Sequence, residues 1–494
     1  MFDLDLELHK KVRIIIKSSK YFETQGKVWF GFPVGSQIYH TSCTNLNTVL
    51  NSTSGYFCFI YFDVDKVIIA NDILGGFRLY TYECNDTLII ADDYYTILSE
   101  IRKKENLIKR EVDEVQLEFW KKHGYTFGDR TLFKGLNKVV PGTIITIEKK
   151  SISKDFYFKR GIIRESSAEK HISAVRKEIA ASFRSLKTQT ANGVKVILLF
   201  SGGRDSTYLA SEMLRQGIDF DPIFFYADPP YEANVKDFLR ANNVAKQIGI
   251  HLRKIEISWN DNKAVLTKLT KDLLFDRHFA LLHYLGFSQL RGEYDPEKTI
   301  VVNGQGSDSI FSFGPSENTI GDFLRRLTIY FPKFSHLFLG KIFERKFQSK
   351  FIRRSCKDDV LLGFANSKNY VFLKESVTDA RLDGELLNYI TSLNVGSSSE
   401  EETRMRIKIG LFLQGSDNQV AICAPRAFGF NRVFLPFSNP VIISSTIKYK
   451  SILKEILSPK YVIPRAISGA IVLVEKEMKN KFISLDKLEK AVYN

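Results

Sequence analysis

The segment VKVILLFSGGRDSTYLASEML, residues 194–214, decides how this chain is read. Val196 to Phe200 form a short apolar run of the kind that fills a buried parallel strand. Ser201-Gly202-Gly203 breaks it, and the amphipathic stretch that follows has helical spacing. A strand that turns through two glycines into a helix turns backbone N–H groups, and the positive end of the helix dipole, toward an anion. No GK[ST] follows, so this is not a Walker A loop, and the GxGxxG spacing of a dinucleotide fingerprint is also missing. Asp205 sits poorly beside bare phosphate. A cation between them resolves the conflict, and Mg²⁺, which takes few protein carboxylates plus phosphate oxygens, suits it.

The surrounding sequence alternates in the same way. AEKHISAVRKEIAASFRSL reads as a helix before the strand KVILLF, and STYLASEMLRQG as a helix ending at Gly217. PIFFYAD is a second strand, ANVKDFLRANNVAKQIG a helix ending at Gly249, HLRKIEIS a third strand and KTIVVNG a fourth. Strands alternating with helices imply a doubly wound parallel sheet, whose ligands bind at the carboxyl ends of its strands. There a second loop, VVNGQGSDSIF (301–311), leaves a strand, passes two glycines and delivers Asp308. Either loop alone is compatible with an ordinary turn. Together they are expected to hold Mg²⁺ and pyrophosphate between two aspartates. From about residue 320 the chain reads as mostly helical.

The first 150 residues look different. KVWFGF, GYFCFIYFD, KVIIAN, RLYTYE, TLIIAD and GTIITIEKK are short strands rich in β-branched and aromatic residues, with a charged helical stretch at about 96–123. They predict an antiparallel β-sandwich. A polar, aperiodic stretch at roughly 149–168 reads as a linker, giving domains at 1–155 and 165–494.

Composition bounds the rest. The 494 residues are 44% apolar, without a run near the roughly 20 residues that cross a membrane. The best run, GAIVLV (469–474), is core-sized, and the start lacks the features of a signal peptide. Cys43, Cys58, Cys84, Cys356 and Cys423 show no metal spacing and fit reduced thiols in a cytoplasmic protein. The net charge of +15 comes from short dispersed groups such as KKVR, FLRR and FIRR. It fits a plain basic surface, or one that attracts an acidic peptide or carboxylate; nucleic acid is not expected.

SGGRDS resembles the SGGxDS pyrophosphate loop of the asparagine-synthetase-like ATP pyrophosphatases, and NGQGSD resembles their GxGSD loop. The likeness extends along most of the chain. ANDILGGFRLYTY, TLIIADD and TLFKGLNKVVPGTIITI follow the order of that family's glutaminase-like domain, and VAICAPRAFGFNRVFLPF resembles its stretch ending in R-x-P-F. The resemblance implies a glutaminase-like (Ntn-type) sandwich before an ATP-pyrophosphatase domain. It implies that Ser201, Gly202, Gly203, Asp205 and Ser206 hold the phosphates, and that Asp205 and Asp308 serve Mg²⁺. Leu199, Phe200, Ala227, Asn303 and Gly304 would hold the adenosine. The implied reaction joins a carboxylate to an amine: the carboxylate displaces pyrophosphate from ATP, and the amine then displaces AMP.

Three departures narrow this expectation. The family's glutaminase needs an N-terminal cysteine, whereas this sequence starts Met1-Phe2-Asp3, so glutaminase activity is not expected. Gln305 occupies the middle of the GxGSD loop and cannot serve as a base; His278 and Tyr284 are candidates, with a core or surface role the plainer reading of His278. Ile467, in YVIPRAISGAIV, stands where many relatives carry a catalytic lysine, with Arg465 or Lys460 as candidate substitutes. Arg204, at a position where Leu or Val is common, is also unusual. Relatives without the cysteine include lasso-peptide cyclases and β-lactam synthetases, and IFSFGPSEN after Asp308 resembles the former. The expectation is therefore an AMP-forming ligase closing a peptide macrolactam, as in antibiotic biosynthesis, alongside a leader-peptide protease. A β-lactam-forming or sugar-directed amide synthetase, or a non-catalytic nucleotide-binding homologue, stays open.

Overall fold

The structure is a computed structural model that describes most of residues 2–258, then 281–312 and 416–447, with isolated positions between 385 and 409. Its first part supplies strands β1 (Phe2–Glu7), β2 (Lys11–Ile16), β3 (Lys20–Thr24), β4 (Lys27–Val34), β5 (Ser54–Phe62) and β6 (Lys66–Asn71). They are followed by β7 (Tyr80–Cys84), β8 (Thr87–Ala91), β9 (Leu136–Lys138), β10 (Thr143–Glu148) and β11 (Ser151–Phe156). Helices α1 (Leu46–Leu50), α2 (Tyr94–Lys104) and α3 (Glu114–His123) lie between them.

These strands make two sheets, ordered β1-β2-β8-β7-β9 and β11-β10-β6-β5-β4-β3. Phe2 of the first sheet packs on Phe30 and Phe62 of the second, each at 5.7 Å between ring centroids. The six-stranded sheet is antiparallel throughout. The other departs from the antiparallel expectation at one pair, because β2 and β8 run parallel. The chain leaves β2, builds four strands of the other sheet and comes back through β7, so no tight hairpin joins this pair. β11 occupies residues 151–156, within the stretch read as linker, and pairs with β10. Nearly every residue of β4 and β5 is buried on both faces, which explains their unbroken apolar sequences.

Beyond residue 160 come β12 (Ile163–Glu165), α4 (Ala168–Thr188), β13 (Lys195–Leu199), α5 (Arg204–Gln216), β14 (Asp221–Asp228), α6 (Glu232–Ile248) and β15 (Arg253–Ser258). They are followed by α7 (Leu281–Leu290), β16 (Thr299–Val302), α8 (Ser307–Ser312), α9 (Ser416–Arg426), β17 (Arg432–Phe434) and β18 (Ser445–Ile447). Five of these strands form a sheet in the order β15-β14-β13-β16-β17, every neighbouring pair parallel. From β13 the chain builds outward to β14 and β15, then returns to place β16 on the other side of β13. The strand order reverses between β13 and β16, so the loops leaving their carboxyl ends lie side by side at the reversal, the place where sheets of this kind bind ligands.

One apolar core runs from the paired sheets into the parallel sheet. Asp72, completely buried, ties the turn after β6 by accepting N–H bonds from Phe57 (3.1 Å), Gly76 (3.0 Å) and Phe77 (2.7 Å). That turn meets α9. The Arg426 guanidinium lies 5.2 Å from the ring centroids of both Tyr56 and Phe77 and donates to Ser18 Oγ at 2.8 Å. The Tyr56 hydroxyl donates to the carbonyl of Asn431. Paired sheets and α9 are thus joined by an arginine that lies against a stacked pair of aromatic rings.

Candidate functional site

Ser201-Gly202-Gly203 lies at the carboxyl end of β13 and feeds directly into α5. Gly202 has φ +65°, and a Cβ there would lie 2.5 Å from the Ala241 Cα and 2.8 Å from its nitrogen. Both facts require glycine: the loop turns left-handed while lying against the backbone of α6. Gly203 is the N-cap of α5 at φ −75°, ψ 169°, without a side-chain cap, and the first helical bond runs from Thr207 N to its carbonyl (3.0 Å). Its N–H donates to Ser201 Oγ at 3.3 Å, and Ser201 N donates to Ser206 Oγ at 3.3 Å. The serines of SGGRDS therefore brace the loop from inside. Ser201 itself is exposed.

The second loop meets the first. Asn303, at the end of β16, accepts from Gln305 N at 3.0 Å and donates its own N–H to Phe434 O at 3.1 Å, which shapes the turn. A Cβ on Gly304 would lie 3.2 Å from Asp205 Cβ, so the missing side chain lets the loops approach. Ser307, 1% exposed at the start of α8, donates to Asp205 Oδ2 at 2.6 Å. Asp308 is the next residue and is half-buried. Two segments about 100 residues apart in sequence thus converge on one carboxylate.

The other predicted residues divide. Leu199 ends β13, and the amides of Phe200 and Ala227 are committed within the fold, to Ile223 O and Asn234 Oδ1, both at 2.9 Å. Arg204 is the first residue of α5 and is half-buried. Tyr284 is 2% exposed in the core on α7. His278, Lys460, Arg465 and Ile467 lie outside the described residues. Cys58 is completely buried, and burial pushes its thiol well above the usual range, which leaves it unfit as a nucleophile.

The donor set suits a hard cation bound together with phosphate. It offers two carboxylates and serine hydroxyls, all oxygen ligands, beside a helix N-terminus capped by glycine. Among the described residues there is no group of three or more His, Cys, Asp or Glu that could cage a metal alone. A cation here would share its coordination with a ligand's oxygens.

Arg240 also touches the first loop. Its Nε donates to Ser201 O at 3.3 Å from the mid-portion of α6. The sequence signal for it is weak, because nothing in LRANN sets it apart from a surface arginine.

No family model matches the chain, and no curated protein matches it. Among solved structures, the NMN synthetase from Francisella tularensis is 13% identical, over 54% of this chain and 97% of that one, with a TM-score of 0.21. The allosteric regulatory enzyme of purine biosynthesis is 12% identical over 52% of this chain and 60% of that one, with a TM-score of 0.20. The glutamine phosphoribosylpyrophosphate amidotransferase from B. subtilis, complexed with ADP and GMP, is 11% identical over 63% and 60%, with a TM-score of 0.16. This chain thus spans 60% of the length of each of the last two. Likenesses at this level carry no functional argument, which has to come from the residues. No helix among the described residues is long and apolar enough to cross a membrane.

Proposed function

We propose that this protein is an ATP-dependent, AMP-forming amide synthetase of the asparagine-synthetase-like kind. One observation carries the reading: two glycine-bearing loops leave adjacent parallel strands at the order reversal and converge where Ser307 donates to Asp205 at 2.6 Å. In that reading Ser201, Gly202, Gly203 and Ser206 cradle the pyrophosphate, while Asp205 and Asp308 hold Mg²⁺ against it. The metal supplies charge neutralisation at the leaving pyrophosphate. The chain's own part is to fix both loops, orient the phosphates along α5 and hold Asp205 in place through Ser307. Leu199, Phe200, Ala227, Asn303 and Gly304 would border the adenosine.

The finer reading is macrolactam closure: an Asp or Glu side chain of a ribosomal peptide is activated and captured by the same peptide's amine. Its support is Gln305, where a Glu would otherwise stand in the second loop, and IFSFGPSEN after it. A leader-peptide protease would supply the amine, and the setting would be cytoplasmic. A non-catalytic homologue is the second reading, favoured by Ile467 at the usual lysine position. Incubation with Mg·ATP, hydroxylamine and either precursor peptides or free aspartate separates these. Peptide-dependent hydroxamate and AMP support the cyclase. Hydroxamate from small carboxylates alone favours another amide synthetase, and ATP binding without turnover the non-catalytic homologue.

A further inference from the structure

We propose that Arg240, on the helix behind the SGG loop, is a pyrophosphate-recognising residue that supplies positive charge on the α6 side of the cradle. The inference rests on the two-loop site being the nucleotide site. Gly202 lies so close to α6 that a Cβ on it would meet the backbone of Ala241 and, at 3.1 Å, the carbonyl carbon of Arg240. The side chain beginning at that contact reaches the first residue of the loop. Two bonds orient it: Nε to Ser201 O at 3.3 Å, and Nη2 to Asp237 Oδ1 at 2.8 Å. A guanidinium carries five N–H groups in a planar fork, so further donors remain beyond these two.

A surface arginine on a helix is ordinarily a solvated partner for an aspartate one turn away, and the Asp237 pair alone would mean no more. The bond to Ser201 O is different in kind. It fixes the charge to the main chain of the exposed first residue of the cradle, the position a phosphate oxygen would approach. The site also has a charge problem, because Asp205 and Asp308 are acidic while its expected ligand is a polyanion. One divalent cation leaves a surplus of negative charge, and a planar bidentate donor recognises phosphate better than an ammonium. About half of the Arg240 side chain is exposed, so it is free to swing from Asp237 to an arriving anion.

The test compares wild type with Arg240→Gln, Arg240→Lys and Asp205→Ala in the full chain, titrating ATP, AMP and inorganic pyrophosphate calorimetrically with Mg²⁺ present. Glutamine keeps a donor for Ser201 O but loses the charge, which separates bracing from recognition. Arg240→Gln is expected to weaken ATP and pyrophosphate about tenfold, the scale of one exposed charge-assisted contact, with AMP unchanged within twofold. Arg240→Lys should recover part of the loss, and the melting temperature should hold. Equal losses for AMP and ATP, or no loss for either, overturn the assignment. If wild type binds ATP, Asp205→Ala abolishes it and Arg240→Gln does not change it, only this inference fails. If wild type binds none of the three, the nucleotide-site reading fails with it.

Discussion

Replacing Gly202 by alanine tests the loop architecture most sharply. The residue sits at φ +65°, where a non-glycine residue costs about 1–2 kcal/mol. The new Cβ would also lie 2.5 and 2.8 Å from two backbone atoms of Ala241, which cannot rotate away as a side chain tip would. Overpacking of this kind typically costs about 1–3 kcal/mol, so the combined penalty is about 2–5 kcal/mol. In a domain of this size that lowers the melting temperature by about 3–7 °C. Relief is available if the loop lifts off α6, in which case the penalty appears as lost nucleotide affinity. Gly203→Ala is the control: its backbone is already extended, and its Cβ would meet only the rotatable Ser201 Oγ, at 3.2 Å. It should cost under about 1 kcal/mol of stability. Calorimetric melting with and without Mg·ATP reads both terms. A Gly202→Ala protein within 1 °C of wild type, with ATP affinity within about twofold, would refute the reasoning.

Three further outcomes follow from other contacts. Ser307→Ala removes the donor at 2.6 Å to Asp205, a charge-assisted bond whose loss should weaken Mg·ATP about tenfold in a calorimetric titration. Arg426→Ala removes a cation held 5.2 Å from two rings and bonded to Ser18, about 2–4 kcal/mol of docking, so calorimetry should resolve two melting transitions where wild type shows one. Asp93 caps α2 through Thr96 N (3.0 Å) and pairs with Lys17 (2.8 Å); against the burial that pushes it up, the bonds from Lys17 and Thr96 hold its carboxyl below the usual range. A depressed carboxylate stabilises the fold above its unfolded value near pH 4, and that stability fades as pH falls through the lower folded value. Asp93→Asn keeps the cap but not the charge. It should be less stable than wild type by about 0.5–1 kcal/mol at pH 7, the difference closing below pH 4 in denaturant titrations.

The parallel sheet is largely legible because β13 and β14 are short apolar runs, each followed by a helix that stops at a glycine, Gly217 and Gly249. The two loops were legible for the same reason, since glycines at strand ends mark where a backbone must turn or approach closely. The first three strands are hard to read from sequence. FDLDLE alternates with period two, yet its acidic residues on the outer positions read as charge and mask the pattern; Arg13 opposite Asp5 completes the pairing. Parallel pairing of β2 with β8 was hidden because the two strands lie more than 70 residues apart with no turn between them to set direction. Arg240 and Arg426 were invisible for another reason. Their roles come from what α6 and α9 lie against, and helical periodicity records which face is buried without naming the partner.

The central claim is that the two loops direct cleavage between the α- and β-phosphates of ATP. The measurement that tests it most directly is the identity of the phosphorus-containing products when Mg·ATP is incubated with candidate carboxylates and amines, read by ³¹P NMR, with Asp205→Ala alongside. AMP and pyrophosphate in equal amounts, dependent on the carboxylate and lost in Asp205→Ala, is the predicted result. ADP with inorganic phosphate, or the same products from Asp205→Ala, would contradict it.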